Sequence, residues 1–441
     1  MDLATVIEQC QFYPIPFDQL LHLIEKVYLA ELERLKTAYP VSAPRNTSSP
    51  SHPQSPLHHH PAILYDTEYD EVNRTLTCID LLRKIHNNDY AGFVGTETPE
   101  ARRLTERSFA KLRNLFQGSI NSADDLSMLV TPIVINDLGK SPSLVSEFQQ
   151  LARTQDNKVN SNHDLLLYSV IHDAPHLVPC IARVPSTHRE ILVRGLKLGA
   201  TLSFGQVAQA ECPAVSFAVL EWMRGNKSTS RTASNENDNV DTMRAFQMGY
   251  LEQILDIAGA LGHKDDTCAA LLLEPTYQSY RAVYEVAINI LPDCMEYQDR
   301  YTAILSRRME TLALDVQNPE HRAVMRLLCI WNTLVRSTVY DGLSSGMRAA
   351  LVAGLGVDRE DGRPAVQATY ALAICSAAIR GSQDNSLKEQ RRALAAVFRY
   401  LARVHSAIET DDEAAPQFRG ILVLERDIRE LALSTVCAEE F

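Results

Sequence analysis

Apolar residues recur at helical spacing along most of the chain. Within residues 14–38, Leu20, Ile24, Val27 and Leu32 fall on one side of a helix and charged residues fall on the other. Comparable patterns occupy residues 71–88, 99–116, 187–200, 204–224, 240–263, 277–291, 299–314, 321–335, 365–379, 387–408 and 421–436. Strand-like alternation is scarce, so the pattern predicts an all-α fold, a multi-helix bundle.

A change of composition divides this pattern near the N-terminus. Residues 41–61 are rich in Ser, Pro and His and hold little that a core can bury, which is typical of a linker. We therefore expect an N-terminal helical segment at 1–40, a linker at 41–64, a helical core at 65–300 and a C-terminal helical layer at 301–441. The His58–His60 tract is expected to be solvated.

Composition narrows the possible partners and compartments. The 441 residues carry a formal net charge of -12, which argues against nucleic acid or an anionic membrane surface as the main partner. No apolar run approaches the roughly 20 residues that span a bilayer. Nine cysteines are scattered singly, which favours a reducing compartment. We expect a cytoplasmic protein that acts on a small molecule.

Residues 131–180 contain many side chains of the types that bind metal ions or take part in catalysis. Asp137 follows an apolar run, and Pro132 at a first helical turn predicts a helix that ends near Gly139. On that helix Asp137 would lie on the apolar face. A buried carboxylate needs a partner, which Lys140 or a bound cation would provide.

A second helix is predicted from His163 to Asp173, with Asn162 as its N-cap and Pro175 just beyond its end. His163 and His172 are nine residues apart and point to opposite sides of one helix. His176 lies past the end of the helix and is free to turn back toward His163. His172 and His176 are thus alternative second imidazoles.

A further pair of candidate ligands lies in the sequence LDIAGALGH. Asp256 and His263 are seven residues apart, so on a continuous helix they share a face. The small residues between them permit close approach of another helix or leave space for a ligand. The alternative is helix packing alone, with His263 near a helix C-terminus.

Two short motifs resemble those of known metalloproteins. NDLGK, residues 136–140, resembles the HD[IL]GK doublet of HD-domain metalloproteins, and NHDLLLY, residues 162–168, resembles the HDxxLY segment of myo-inositol oxygenase-like members. The resemblance implies an HD-like helical core in which Asp137 bridges metal ions and His163 is a later ligand. Asn136 departs from it by replacing the doublet histidine. The whole chain also resembles a group of helical fungal proteins.

These observations predict a metal-dependent enzyme that acts on a small molecule. One Asp with two His is the ligand set of a non-haem iron centre, so an iron oxygenase is expected first. A phosphohydrolase that uses Mn, Mg or Zn is an alternative, and a non-catalytic ligand-binding or interaction protein is another. The candidate catalytic residues are Lys140 and Asp164. The candidate metal ligands are Asp137, His163, His172, His176, Asp256 and His263.

Overall fold

The computed structural model confirms the predicted fold class. It describes residues 3–9, 12–38, 60–65, 67–96, 103–154, 162–208, 217–223, 236–291, 297–328, 338–355 and 386–410. Within these ranges every regular element is a helix and no strand occurs. None of the described helices is long and apolar enough to cross a membrane.

The helices vary from one turn to more than six. They are α1 (Leu3–Glu8), α2 (Phe17–Val27), α3 (Leu29–Leu35), α4 (His60–Tyr65), α5 (Asp70–His86), α6 (Tyr90–Val94), α7 (Glu106–Ser119), α8 (Ala123–Ile135), α9 (Pro142–Thr154), α10 (His163–Asp173), α11 (Ser186–Thr201), α12 (Phe204–Ala208), α13 (Ala218–Met223), α14 (Glu236–Gly259), α15 (Glu274–Ile290), α16 (Tyr297–Thr311), α17 (Pro319–Leu328), α18 (Ser345–Leu355) and α19 (Leu387–Thr410). Short 3-10 turns cover 138–140, 175–177 and 179–183.

The chain forms two compact units. The first comprises Met1–Thr201 and Val219–Tyr277, and the second comprises Leu202–Ala218 and Gln278–Phe441. The boundary expected at residue 300 thus falls inside the second unit. In that unit α17, α18 and α19 bury a core of apolar side chains, among them Leu351, Leu355, Val397, Phe398 and Leu401.

Helices α5 and α14 form the centre of the first unit. A Cβ added at Gly259 would lie 2.4 Å from Cys78 Sγ and 3.1 Å from the Arg74 carbonyl oxygen. At Gly262 it would lie 2.4 Å from Thr77 Oγ1. The small residues of LDIAGALGH therefore allow close helix packing, one of the two roles expected for them.

Helix α14 ends at Gly259, before His263. The expectation that Asp256 and His263 share a helix face is therefore wrong. The turn that follows packs against α5 at Gly262, where a larger residue would collide with Thr77 and the Asn73 carbonyl. Local packing of the turn thus overrides the helical periodicity of the sequence.

The helix expected from Pro132 to Gly139 is also different in the structure. Helix α8 begins at Ala123, where the Ser122 hydroxyl accepts a hydrogen bond from Asp125 N at 3.1 Å, and it ends at Ile135. Pro132 lies in its last turn. Asp137 is consequently outside the helix, at the start of the 138–140 turn.

The predicted start of α10 is confirmed. The Asn162 side-chain oxygen accepts hydrogen bonds from Asp164 N at 2.9 Å and Leu165 N at 3.0 Å. The 138–140 turn packs directly on this end, because a Cβ at Gly139 would lie 2.0 Å from the His163 carbonyl oxygen. The close contact fixes Asp137 and Lys140 beside the first turn of α10.

Helix α4 extends into the segment that was expected to be a linker. The His60 backbone N–H donates to Asp266 Oδ2 at 2.7 Å, and the His60 ring packs edge-on against Phe17 with centroids 4.8 Å apart. The expectation of a solvated side chain is therefore wrong for His60. His58 and His59 lie outside the described residues.

We predict that Gly259→Ala destabilises the protein by about 1–3 kcal/mol, because the added methyl meets backbone atoms of α5 that cannot move aside. Gly118→Ala is the control, since nothing lies within 4 Å of a Cβ added there in α7, and it should be neutral or stabilising. Urea unfolding monitored by circular dichroism measures both changes. Equal effects of the two substitutions would contradict the assigned role of Gly259.

Candidate functional site

Acidic side chains from four parts of the first unit converge on one another. Helix α5, the segment at 136–140 and helix α14 supply the buried members, and the first turn of α10 supplies the outer ones. The name acidic cluster is used below for these residues: Glu71, Arg74, Asn136, Asp137, Lys140, His163, Asp164, Glu252 and Asp256.

One half of the acidic cluster is an ion-pair network. Lys140 Nζ lies 2.6 Å from Asp137 Oδ1 and 3.4 Å from both carboxylate oxygens of Glu71. Arg74 donates to Glu71 Oε1 at 3.0 Å and lies 3.9 Å from Asp137 Oδ2. Glu71 and Asp137 are both buried, and these two cations stabilise the negative charge that the pair carries.

The other half is organised around the side-chain amide of Asn136. Its Nδ2 donates to Glu252 Oε1 at 3.1 Å and to Asp256 Oδ1 at 3.4 Å. Gln253 Nε2 also donates to Glu252, at 3.2 Å. Asn136 therefore holds two acidic residues of α14 with a neutral donor.

His163 and Asp164 form the exposed edge of the acidic cluster. Their side chains retain 40% and 43% of their accessibility, against 11% for Asp137. His163 Nε2 lies 3.2 Å from Asp164 Oδ1 and 3.9 Å from Asp137 Oδ1. The imidazole thus stands between solvent and the buried carboxylate.

Glu71 and Asp137 share a hydrogen bond, and their pKa values move in opposite directions. Burial, with the hydrogen bond and negative charge of Asp137, raises the pKa of Glu71 to about 8. Burial opposes ionisation of Asp137 as well, but the hydrogen bond from Glu71 and the charges of Lys140 and Arg74 outweigh it and lower its pKa to about 2. Near neutral pH the proton of this pair resides on Glu71.

The carboxyl groups of α14 also hold protons more tightly than usual. Burial and then the charge of Asp137 raise the pKa of Asp256 to about 6. Burial and the neighbouring Asp256 raise the pKa of Glu252 well above its ordinary value. Asp164 is shifted in the same direction, first by burial. Burial is the first cause of each of these shifts, and neighbouring carboxylates add to it.

Five of the eight residues selected from the sequence meet in the acidic cluster: Asp137, Lys140, His163, Asp164 and Asp256. His172 does not join it, because it is exposed near the other end of α10 and its Nδ1 lies 2.6 Å from Asp173 Oδ1. His176 is exposed in the 175–177 turn. His263 lies in the turn beyond α14.

Sequence reasoning missed Glu71, Arg74 and Glu252. Glu71 and Arg74 are three residues apart, so they face the same way on α5. Glu252 and Asp256 are four residues apart on α14, where like charges are unfavourable unless something compensates them. These two spacings are the features of the sequence that point to Glu71, Arg74 and Glu252.

The side chains as they stand do not form a metal-binding set. Within the part of the chain that the structure describes, no group of three or more His, Cys, Asp and Glu residues is arranged to hold a metal ion. At Asp137, Lys140 and Arg74 supply the positive charge instead. A metal ion bound through Asp137 would have to compete with the ammonium group of Lys140.

Comparison with known proteins gives one result. Residues 21–441 match the model of a family described as a family of unknown function, DUF6829. No curated protein and no solved structure matches the chain.

We predict that Glu71→Gln weakens the pH dependence of stability between pH 6 and 8. A glutamate with a pKa of about 8 in the folded protein keeps its proton over a range in which the unfolded chain has lost it. The free energy of unfolding therefore falls as pH rises through this window, by at most about 1.4 kcal/mol per pH unit for one group. Glu71→Gln removes this contribution.

Urea unfolding at a series of pH values measures the effect. Glu106→Gln, a substitution of an exposed glutamate at the start of α7, is the control and should keep the wild-type slope. A wild-type slope in Glu71→Gln would show that Glu71 is ionised in the folded protein.

Proposed function

Because the chain belongs to the DUF6829 family of unknown function, we propose its activity from its own residues: a metal-dependent enzyme that acts on a small molecule at the acidic cluster. The observation that carries the proposal is the excess of acidic groups over cations. Three buried carboxyl groups, the half-buried Asp256 and the partly exposed Asp164 stand against two permanent cations, Arg74 and Lys140. Such an excess favours uptake of protons or of a cation.

The chemistry of the donors bears on which metal would bind. Asp137, Glu252 and Asp256 offer carboxylate oxygens, which are preferred by Mg²⁺ and Mn²⁺. His163 adds one imidazole at the exposed edge. A non-haem iron centre would need a second imidazole, and His263 is the remaining candidate from the sequence. The donor set therefore favours Mn²⁺ or Mg²⁺ over iron, and hydrolysis over oxidation.

A bound divalent ion would lower the pKa of a water molecule and make it a nucleophile near neutral pH. The remaining roles fall to residues of the chain. His163 and Asp164, which are accessible to solvent, would transfer protons at the edge of the site. Lys140 and Arg74 would interact with anionic oxygens of a substrate such as a phosphoester. Asn136 would hold Glu252 and Asp256 in place.

The location of the protein forms part of the same proposal. The described cysteines Cys78, Cys180 and Cys268 are buried and unpaired. Free thiols are in keeping with a reducing compartment such as the cytoplasm.

A second candidate is a non-catalytic protein that binds a ligand or partner. The 2.6 Å contact between Lys140 and Asp137 favours it, because the ammonium group occupies the carboxylate that the resemblance assigns to metal. In this case Arg74 and Lys140 are permanent counter-ions and the other acidic groups stay protonated. The two candidates differ in whether the folded chain takes up a divalent ion.

We predict that the metal-stripped protein binds Mn²⁺ at pH 7.5 with about one ion per chain. Asp137→Asn and Asp256→Asn should weaken this binding at least about tenfold, because each removes a charged oxygen donor. Asp173→Asn is the matched control, since Asp173 is exposed and lies at the far end of α10. Isothermal titration calorimetry and the electron paramagnetic resonance signal of free Mn²⁺ give stoichiometry and affinity.

The same preparation distinguishes the candidates. Release of phosphate from phosphoester substrates in the presence of Mn²⁺, lost in His163→Ala and kept in His172→Ala, supports the enzyme. Less than about a tenth of an equivalent of bound Mn²⁺ or iron in the wild type would exclude the metal-dependent function and leave the non-catalytic candidate. Circular dichroism of each variant verifies that it is folded.

A further inference from the structure

An apolar cavity lies in the first unit, apart from the acidic cluster. Its volume is about 340 Å³, within the range of small-molecule sites. Helices α1, α5, α7 and α8 contribute to its walls. The buried side chains among its lining residues are Ile7, Phe12, Leu82, Phe116 and Leu126.

The side chains that line the cavity are apolar in its interior and polar at its edge. Tyr13 and His86, which both line it, stack with ring centroids 3.4 Å apart and an interplanar angle of 4°. Glu8, Gln117 and Asn121 line it as well and are exposed. An apolar interior with a few polar groups at its edge is typical of a site for a small organic molecule.

Arg113 does not line the cavity, but it places a positive charge near His86 at one edge. The pKa of His86 is lowered first by burial and then by the charge of Arg113. Arg113 Nε is buried and has no hydrogen-bond partner among the described residues. This cation on α7 lies one turn before Phe116 and Gln117. It favours a ligand that presents a hydrogen-bond acceptor at the His86 side.

A polar cavity adjoins the apolar one. It measures about 510 Å³ and is lined by Asp125, Arg244 and Gln247 among others. Asn121 lines both cavities, so they meet at this residue. The Arg244 guanidinium donates to Asp125, whose carboxylate also accepts from Asn121 N at 3.0 Å. A substituent that leaves the apolar cavity at Asn121 thus enters polar surroundings.

We propose that the apolar cavity binds a one- or two-ring organic molecule, mostly apolar, with one hydrogen-bond acceptor. The volume excludes a helix or a folded segment as its occupant. The cavity is open to solvent at its polar edge, so its apolar side chains contact water when no ligand is bound. A bound ring replaces those contacts, and the acceptor meets the polar edge at Tyr13 and His86.

The test uses the full-length protein with 2-naphthol and cyclohexanol as probes. Saturable binding of at least one probe is expected, with a dissociation constant on the order of 1 mM or tighter. Ala123→Leu enlarges a side chain that lines the cavity at the first turn of α8 and should weaken binding at least about tenfold. Ala110→Leu, exposed on α7 and outside the lining, is the matched control.

Protein-observed NMR titration measures affinity, and thermal melting verifies folding of both variants. Asp256→Asn should bind the probes as the wild type does, which separates this site from the acidic cluster. Absence of saturable binding of either probe to the wild type overturns the proposal. Equal affinity in Ala123→Leu and Ala110→Leu overturns it as well, because binding would then occur elsewhere.

Discussion

Negative charge buried between α5 and α14 is the constraint on which the first unit depends. Close contact of these helices at Gly259 puts Arg74 near Asp256, and close contact at Gly139 puts Asp137 and Lys140 beside the first turn of α10. Neither of these two contacts leaves room for a residue larger than glycine. The arrangement of the charges is therefore a product of backbone packing, and the side chains adjust their protonation to it.

The acidic cluster is costly for a protein that needs only stability. Replacement of buried ion pairs by well-packed apolar side chains is often neutral or stabilising, whereas loss of one partner is strongly destabilising. Lys140 and Arg74 compensate Glu71 and Asp137, but Asn136 gives Glu252 and Asp256 hydrogen bonds without a positive charge. Protons or a bound cation must neutralise the acidic groups that Lys140 and Arg74 do not compensate.

Features of the structure that depend on local interactions could be predicted from the sequence. Helical periodicity predicted the all-α fold, and Asn162 predicted the start of α10, because a cap acts within three residues. Asp137 is buried as predicted, but it lies outside the helix from which its burial was inferred. Prediction failed where distant contacts decide: Pro132 belongs to a helix that begins at Ala123, and His263 is separated from Asp256 by a turn that packs on α5. The roles of Glu71 and Glu252 depend on the contact between α5 and α14, which the sequence pattern does not show.

The acidic cluster and the apolar cavity involve the same two helices at opposite ends. Glu71 and Arg74 lie in the first two turns of α5, while Leu82 and His86 lie in its last two. Leu126 lies near the start of α8, whereas Asn136 follows its end. Uncompensated charge opposes stability at one end and incomplete packing opposes it at the other. Stability therefore explains neither feature, and binding offers a physical reason for both.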